Sequence, residues 1–84
     1  MMQASVEISV YPLRRDYGTP ILKFIDRLKK YPHVEVHVNS MSTHLFGPYD
    51  ELMAALTKEM KATFQEDDCE TVMVLKVLNV DLRP

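Results

Sequence analysis

Glu7, Ser9 and Tyr11 stand at alternate positions near the start of the chain, so an extended backbone turns all three to one side. Further on, Asn39-Ser40-Met41-Ser42-Thr43 gathers amide and hydroxyl groups, and Phe46 follows shortly after. Glu7, Ser9, Tyr11, Ser42, Thr43 and Phe46 together offer what a neutral, flat, nitrogen-rich ring needs. A carboxylate and hydroxyls can meet its polar edge, and an aromatic side chain can stack on its face. Each residue also has a plainer role. Asn and Ser satisfy their own backbone in turns, and Tyr11 or Phe46 can serve as an interface aromatic.

The other constellations are thinner. His37 and His44 are candidate cross-strand neighbours with Glu35 on the same face, the beginning of a metal site. Two histidines do not close a coordination sphere, and no metal is expected. His33 follows Pro32 in a loop and is expected in solvent. Cys69 is the single cysteine, which excludes an intrachain disulfide and a multi-cysteine zinc site and fits a reducing compartment. Asp67, Asp68 and Glu70 around it disfavour a thiolate, so it reads as inert. There is no P-loop, GxGxxG, GxSxG, HExxH or CxxC pattern. Catalysis would rest on His44 as a solitary acid or base, and binding without catalysis is the expectation.

Charge and hydropathy narrow the partners further. A formal charge of −2, with Lys29-Lys30 as the only adjacent lysines, gives no footprint for nucleic acid. Those two lysines suit the end of a helix, where a cation offsets the dipole. The first residues lack the basic and apolar regions of a signal peptide. No apolar run approaches the roughly 20 residues of a membrane helix, so the expected location is cytoplasmic.

The elements that must position these residues follow from periodicity. The 84 residues suffice for one domain, 1–84, and 46% hydrophobic content argues against disorder. Val6, Ile8 and Val10 alternate with Ser5, Glu7, Ser9 and Tyr11, predicting a first strand that Pro12 ends. After a charged loop, Thr19 reads as a helix N-cap with Pro20 in the first turn. Ile21, Phe24, Ile25 and Leu28 form the apolar face, and Lys23, Asp26, Arg27 and Lys30 the wet one. Pro32 stops that helix.

Val34, Val36 and Val38 predict a second strand, and residues 42–46 a third. A two-residue turn at Ser40-Met41 sets Val36 opposite Leu45, Val38 opposite Thr43 and His37 opposite His44, although the Asn-Gly of a tight hairpin is missing. Gly47-Pro48 punctuates the chain before a helix over 49–65, whose Leu52, Leu56, Met60 and Phe64 make one row flanked by Met53 and Thr63. Glu66-Asp67-Asp68 reads as a solvated acidic turn, and residues 71–80 as the last strand.

The order βαββαβ predicts a ferredoxin-like α+β sandwich, a four-stranded antiparallel sheet with two helices on one face. The last strand is apolar on both faces apart from Lys76, and Tyr11 and Phe46 add aromatic surface to the side without helices. An exposed patch of that kind marks an interface or ligand site, and a homodimer or homotetramer through the open sheet face is expected.

Residues 8–13 (Ile8-Ser9-Val10-Tyr11-Pro12-Leu13), 41–47 (Met41-Ser42-Thr43-His44-Leu45-Phe46-Gly47) and 49–52 (Tyr49-Asp50-Glu51-Leu52) resemble the YkoF-like thiamine/hydroxymethylpyrimidine-binding family over nearly the whole chain. The resemblance implies a ferredoxin-like domain that binds thiamine or its pyrimidine half. Family members are carriers or salvage-linked proteins that assemble into dimers and tetramers, with no further cofactor. Ser42 and Thr43 match the family's Ser-Thr or Gly-Thr step, and Tyr11 and Pro12 the end of its first strand. Single-domain members often have proline in place of Ser40 and glutamate in place of Phe46, so the ligand's identity is open. Two other readings compete with a binding module: a structural or regulatory oligomer with no small ligand, and a small enzyme using His44.

Overall fold

Alternation along the strands decides which way the sheet faces. The computed structural model describes residues 1–66 and 69–84. Its elements are β1 (Gln3–Pro12), α1 (Gly18–Leu28), β2 (Glu35–Val38), β3 (Thr43–Pro48), α2 (Tyr49–Glu66) and β4 (Thr71–Leu78). The strands form one antiparallel sheet in the order β2-β3-β1-β4, the ferredoxin-like topology. Ala4, Val6 and Ile8 of β1 and Leu45 of β3 meet Phe24 and Leu28 of α1 and Leu52 and Leu56 of α2 in the core. Both helices therefore cover the same face.

The hairpin has the expected register, with Val36 opposite Leu45, His37 opposite His44 and Val38 opposite Thr43. The Asn39 N–H donates to the Ser42 carbonyl at 2.9 Å, which closes the turn on Ser40 and Met41. No residue there has a positive φ, so the turn is not one of the types that call for Asn-Gly.

Several boundaries differ from the sequence reading. α1 begins at Gly18, with Tyr17 rather than Thr19 at the cap position. The Asp16 carboxylate takes up the loose donors, accepting from the Thr19 N–H at 3.4 Å and its hydroxyl at 3.0 Å. β3 does not stop at Gly47-Pro48 but runs through both residues directly into α2. A Cβ at Gly47 would lie 2.4 Å from the His33 carbonyl oxygen, so glycine lets the loop before β2 close on β3. β4 ends at Leu78, and residues 79–84 leave the sheet. Asp67 and Asp68, assigned to an acidic turn, lie outside the described residues.

The buried stripe of α2 is also turned from the one predicted. Leu52, Ala55, Leu56, Glu59 and Thr63 point inward, while Phe64 is 49% exposed. The cause is a polar seam with α1. Arg27, expected in water, donates from Nε to Glu59 Oε1 at 2.8 Å and from Nη2 to Thr63 Oγ1 at 2.6 Å. The Tyr31 hydroxyl donates to Glu59 Oε2 at 2.6 Å. Burial opposes the charge on Glu59, but the bonds from Tyr31 and Arg27 outweigh it and hold the carboxyl below its ordinary value. The bond to Glu59 pushes the Tyr31 hydroxyl up.

Candidate functional site

The face without helices carries the side chains that the core excludes. Register places Glu7 of β1 between His44 of β3 and Lys76 of β4. Ser42 Oγ donates to Glu7 Oε2 at 3.1 Å, and His44 Nε2 lies 3.2 Å from the same oxygen. Lys76 Nζ is 3.5 Å from Oε1. The hydrogen bonds from Ser42 and His44, with the Lys76 charge behind them, hold the Glu7 carboxyl below its ordinary value. This exposed carboxylate stays ionised at neutrality and is fixed by three partners.

Next to it lies Phe46, on the open face yet only 4% exposed. The His37 and His44 rings meet it edge-on at 5.3 and 6.5 Å, and the Arg83 guanidinium sits 5.9 Å from its centroid. Arg83 also reaches Glu35 Oε1 at 3.4 Å, and Glu35 in turn contacts His37. The chain after β4 thus folds back over the open face. Ser5 Oγ anchors it, donating to the Val80 carbonyl at 2.6 Å and accepting from the Leu82 N–H at 2.9 Å.

These features enclose a groove of about 560 Å³. Glu7, His44 and Lys76 line its polar end, and Phe46, Leu78 and Leu82 its apolar end. A groove with fixed acceptors at one end and an apolar wall at the other suits a flat ring with one polar edge.

The predicted site residues divide. Glu7 and Phe46 line the groove, and Ser42 borders it through Glu7. Ser9 and Tyr11 share the face but lie farther along β1, opposite Val74 and Val72 and outside the groove. Thr43 stands on the other face. It pairs with buried Ile8, is 7% exposed and faces the helices, because neighbours in a strand point to opposite sides. The sequence reading of the site left out Lys76, Leu78 and Leu82. Lys76 had a signal, as the single charge within β4; the two leucines did not.

The remaining candidates stand apart from the groove. Among the described residues no three His, Cys, Asp or Glu side chains converge to hold a metal. His33 is exposed and contacts Glu51 at 2.6 Å, and Cys69 is partly exposed. No helix among the described residues is long and apolar enough to cross a membrane.

Fold and groove together define a small ferredoxin-like α+β domain with a groove on the bare sheet face. The family model for thiamine-binding proteins matches residues 6–84, and the chain belongs to that family. Among solved structures it is similar to a hypothetical protein from Methanocaldococcus jannaschii, at 27% identity and a TM-score of 0.81, covering 100% of this chain and 87% of the other. A protein from Streptococcus pneumoniae is 28% identical with a TM-score of 0.72, covering 96% and 90%. A Thermotoga maritima protein proposed to act in thiamine biosynthesis or salvage shares the fold at 19% identity and a TM-score of 0.78, covering 96% and 84%. No curated protein matches the chain.

Proposed function

We propose that this chain binds thiamine or its hydroxymethylpyrimidine half in the open-face groove, as a carrier or salvage protein without catalysis. The observation that carries the proposal is the Glu7 carboxylate, held by Ser42, His44 and Lys76 at the polar end of the groove in a member of the thiamine-binding family. An aminopyrimidine edge sets an amino donor beside a ring-nitrogen acceptor. Glu7 can accept from the amino group while the Lys76 ammonium, which has protons beyond the one facing Glu7, donates to the ring nitrogen. Leu78 and Leu82 offer apolar surface to the ring face.

Isothermal titration tests this reading. The wild type is expected to saturate at one thiamine or hydroxymethylpyrimidine per chain. Glu7→Gln should weaken binding about tenfold or more, since a buried ligand donor then loses a charged acceptor. Thr43→Val, on the other face, should leave affinity within about a factor of two. Absence of saturable binding to either ligand would overturn the proposal, and an unaltered Glu7→Gln would remove the groove from it.

Self-association belongs to the same proposal. Val72 and Val74 of β4 and Tyr11 of β1 stand exposed together at the end of the open face beyond the groove. A two-fold related copy covers such a patch with the same patch, leaving the groove free.

A further inference from the structure

Residues 79–84 have no regular structure, yet they are tied across the sheet in order. They leave β4, bond to Ser5 on β1, pass Phe46 on β3 and reach Glu35 on β2 through Arg83. The tie to β1 is one hydroxyl acting as both donor and acceptor, so two backbone groups of the segment depend on a single side chain. Asp81 holds the turn that aims Arg83, accepting from its N–H at 3.0 Å.

The segment does not plug the groove, because the space of about 560 Å³ is present with the segment in place. Among the described residues it is the one part of the groove's lining that the sheet does not supply, through Leu82. Leu82 lines the groove and is nevertheless 61% exposed, so its apolar surface has no partner until something apolar enters.

We propose that residues 79–84 form a strap that closes on the bound ring through Leu82, and that Ser5 is the residue that positions it. The inference rests on the groove being the pyrimidine site and adds how the ligand is retained. Ser5 lines the groove too, but its hydroxyl is committed to the Val80 carbonyl and the Leu82 N–H, and through them it sets where Leu82 stands. A wall closing after entry acts on dissociation more than on association.

Stopped-flow binding of thiamine and hydroxymethylpyrimidine to the full chain tests this with Ser5→Ala, Ser5→Thr and Leu82→Ser. The expected result is a dissociation rate raised about fivefold to tenfold in Ser5→Ala and Leu82→Ser, with association within about a factor of two. Ser5→Thr, which keeps the hydroxyl, should restore the wild-type rate. Leu82 is exposed in the free protein, so its substitution probes the strap without threatening the fold. Hydrogen exchange supplies a second readout: saturating ligand should slow exchange of the Leu82 amide in the wild type, and less so in Ser5→Ala. Wild-type dissociation rates in both Ser5→Ala and Leu82→Ser, with strap exchange indifferent to ligand, would overturn the strap while leaving the groove intact. A wild type that binds neither ligand would instead remove the groove reading and the strap with it.

Discussion

Glu59 carries a carboxylate into the seam between the two helices, where Arg27 and Tyr31 take both of its oxygens. Glu59→Ala leaves the Arg27 Nε–H and the Tyr31 phenol without their acceptor, at a cost of about 2–3 kcal/mol, since Arg27 keeps Thr63, Glu66 and some access to water. Urea unfolding should show this as a lower midpoint at unchanged slope. The pH dependence follows from the two displaced groups. Glu59 is depressed, so its contribution is complete above the ordinary carboxylate value and fades as pH falls through the lowered one. Tyr31 is raised, so its contribution is complete below the ordinary phenol value and fades as pH rises through the raised one. Glu59→Ala should flatten both flanks of the wild-type stability profile. Glu7 is depressed as well, so the charge it offers a ligand is complete above the ordinary carboxylate value and is lost only as pH falls through the lowered one.

At the scale of elements, the tightest constraint is where the loop before β2 presses on β3. Gly47→Ala would put a methyl group 2.4 Å from the His33 carbonyl oxygen, and backbone cannot swing aside as a side chain does. The expected loss is about 2 kcal/mol or more, read as a lowered thermal midpoint. The elements themselves were legible, because Val6-Ile8-Val10 and Val36-Val38 alternate cleanly and Leu52-Leu56 keeps helical spacing. Legibility failed where long-range polar contacts decide. The apolar row of α2 has Thr63 on its flank but does not say that Glu59 faces inward in place of Phe64; that needs Arg27, 32 residues away in sequence from Glu59. In the site, alternation correctly put Glu7 and Phe46 on the bare face. The same alternation argues against Thr43 once Ser42 is chosen, and the sequence reading took both. The strap was hidden because Val80 continues the alternation of the last strand, and residues 81–84 carry no period that says what they cross.

For the whole molecule, the open face has two ends with different chemistry. One end holds the charged groove under the strap; the other shows Val72, Val74 and Tyr11 to water. Val74→Lys should convert a self-associating wild type into a slower-sedimenting monomer, because it buries a charge in the contact without touching the core. Sedimentation velocity separates the outcomes, and a wild type that already runs as a monomer would refute self-association through this patch. The thiamine affinity of the Val74→Lys monomer then tells whether one chain holds a complete groove.

The position of β4 at the end of the order β2-β3-β1-β4 has a consequence for life in a crowded solution. Its outer margin makes no ladder among the described residues, and along Thr71–Leu78 only Lys76 interrupts the aliphatic run. Such a margin is a template for cross-β stacking as readily as for ordered assembly. The ammonium of Lys76 therefore places a charge against such stacking as well as beside Glu7.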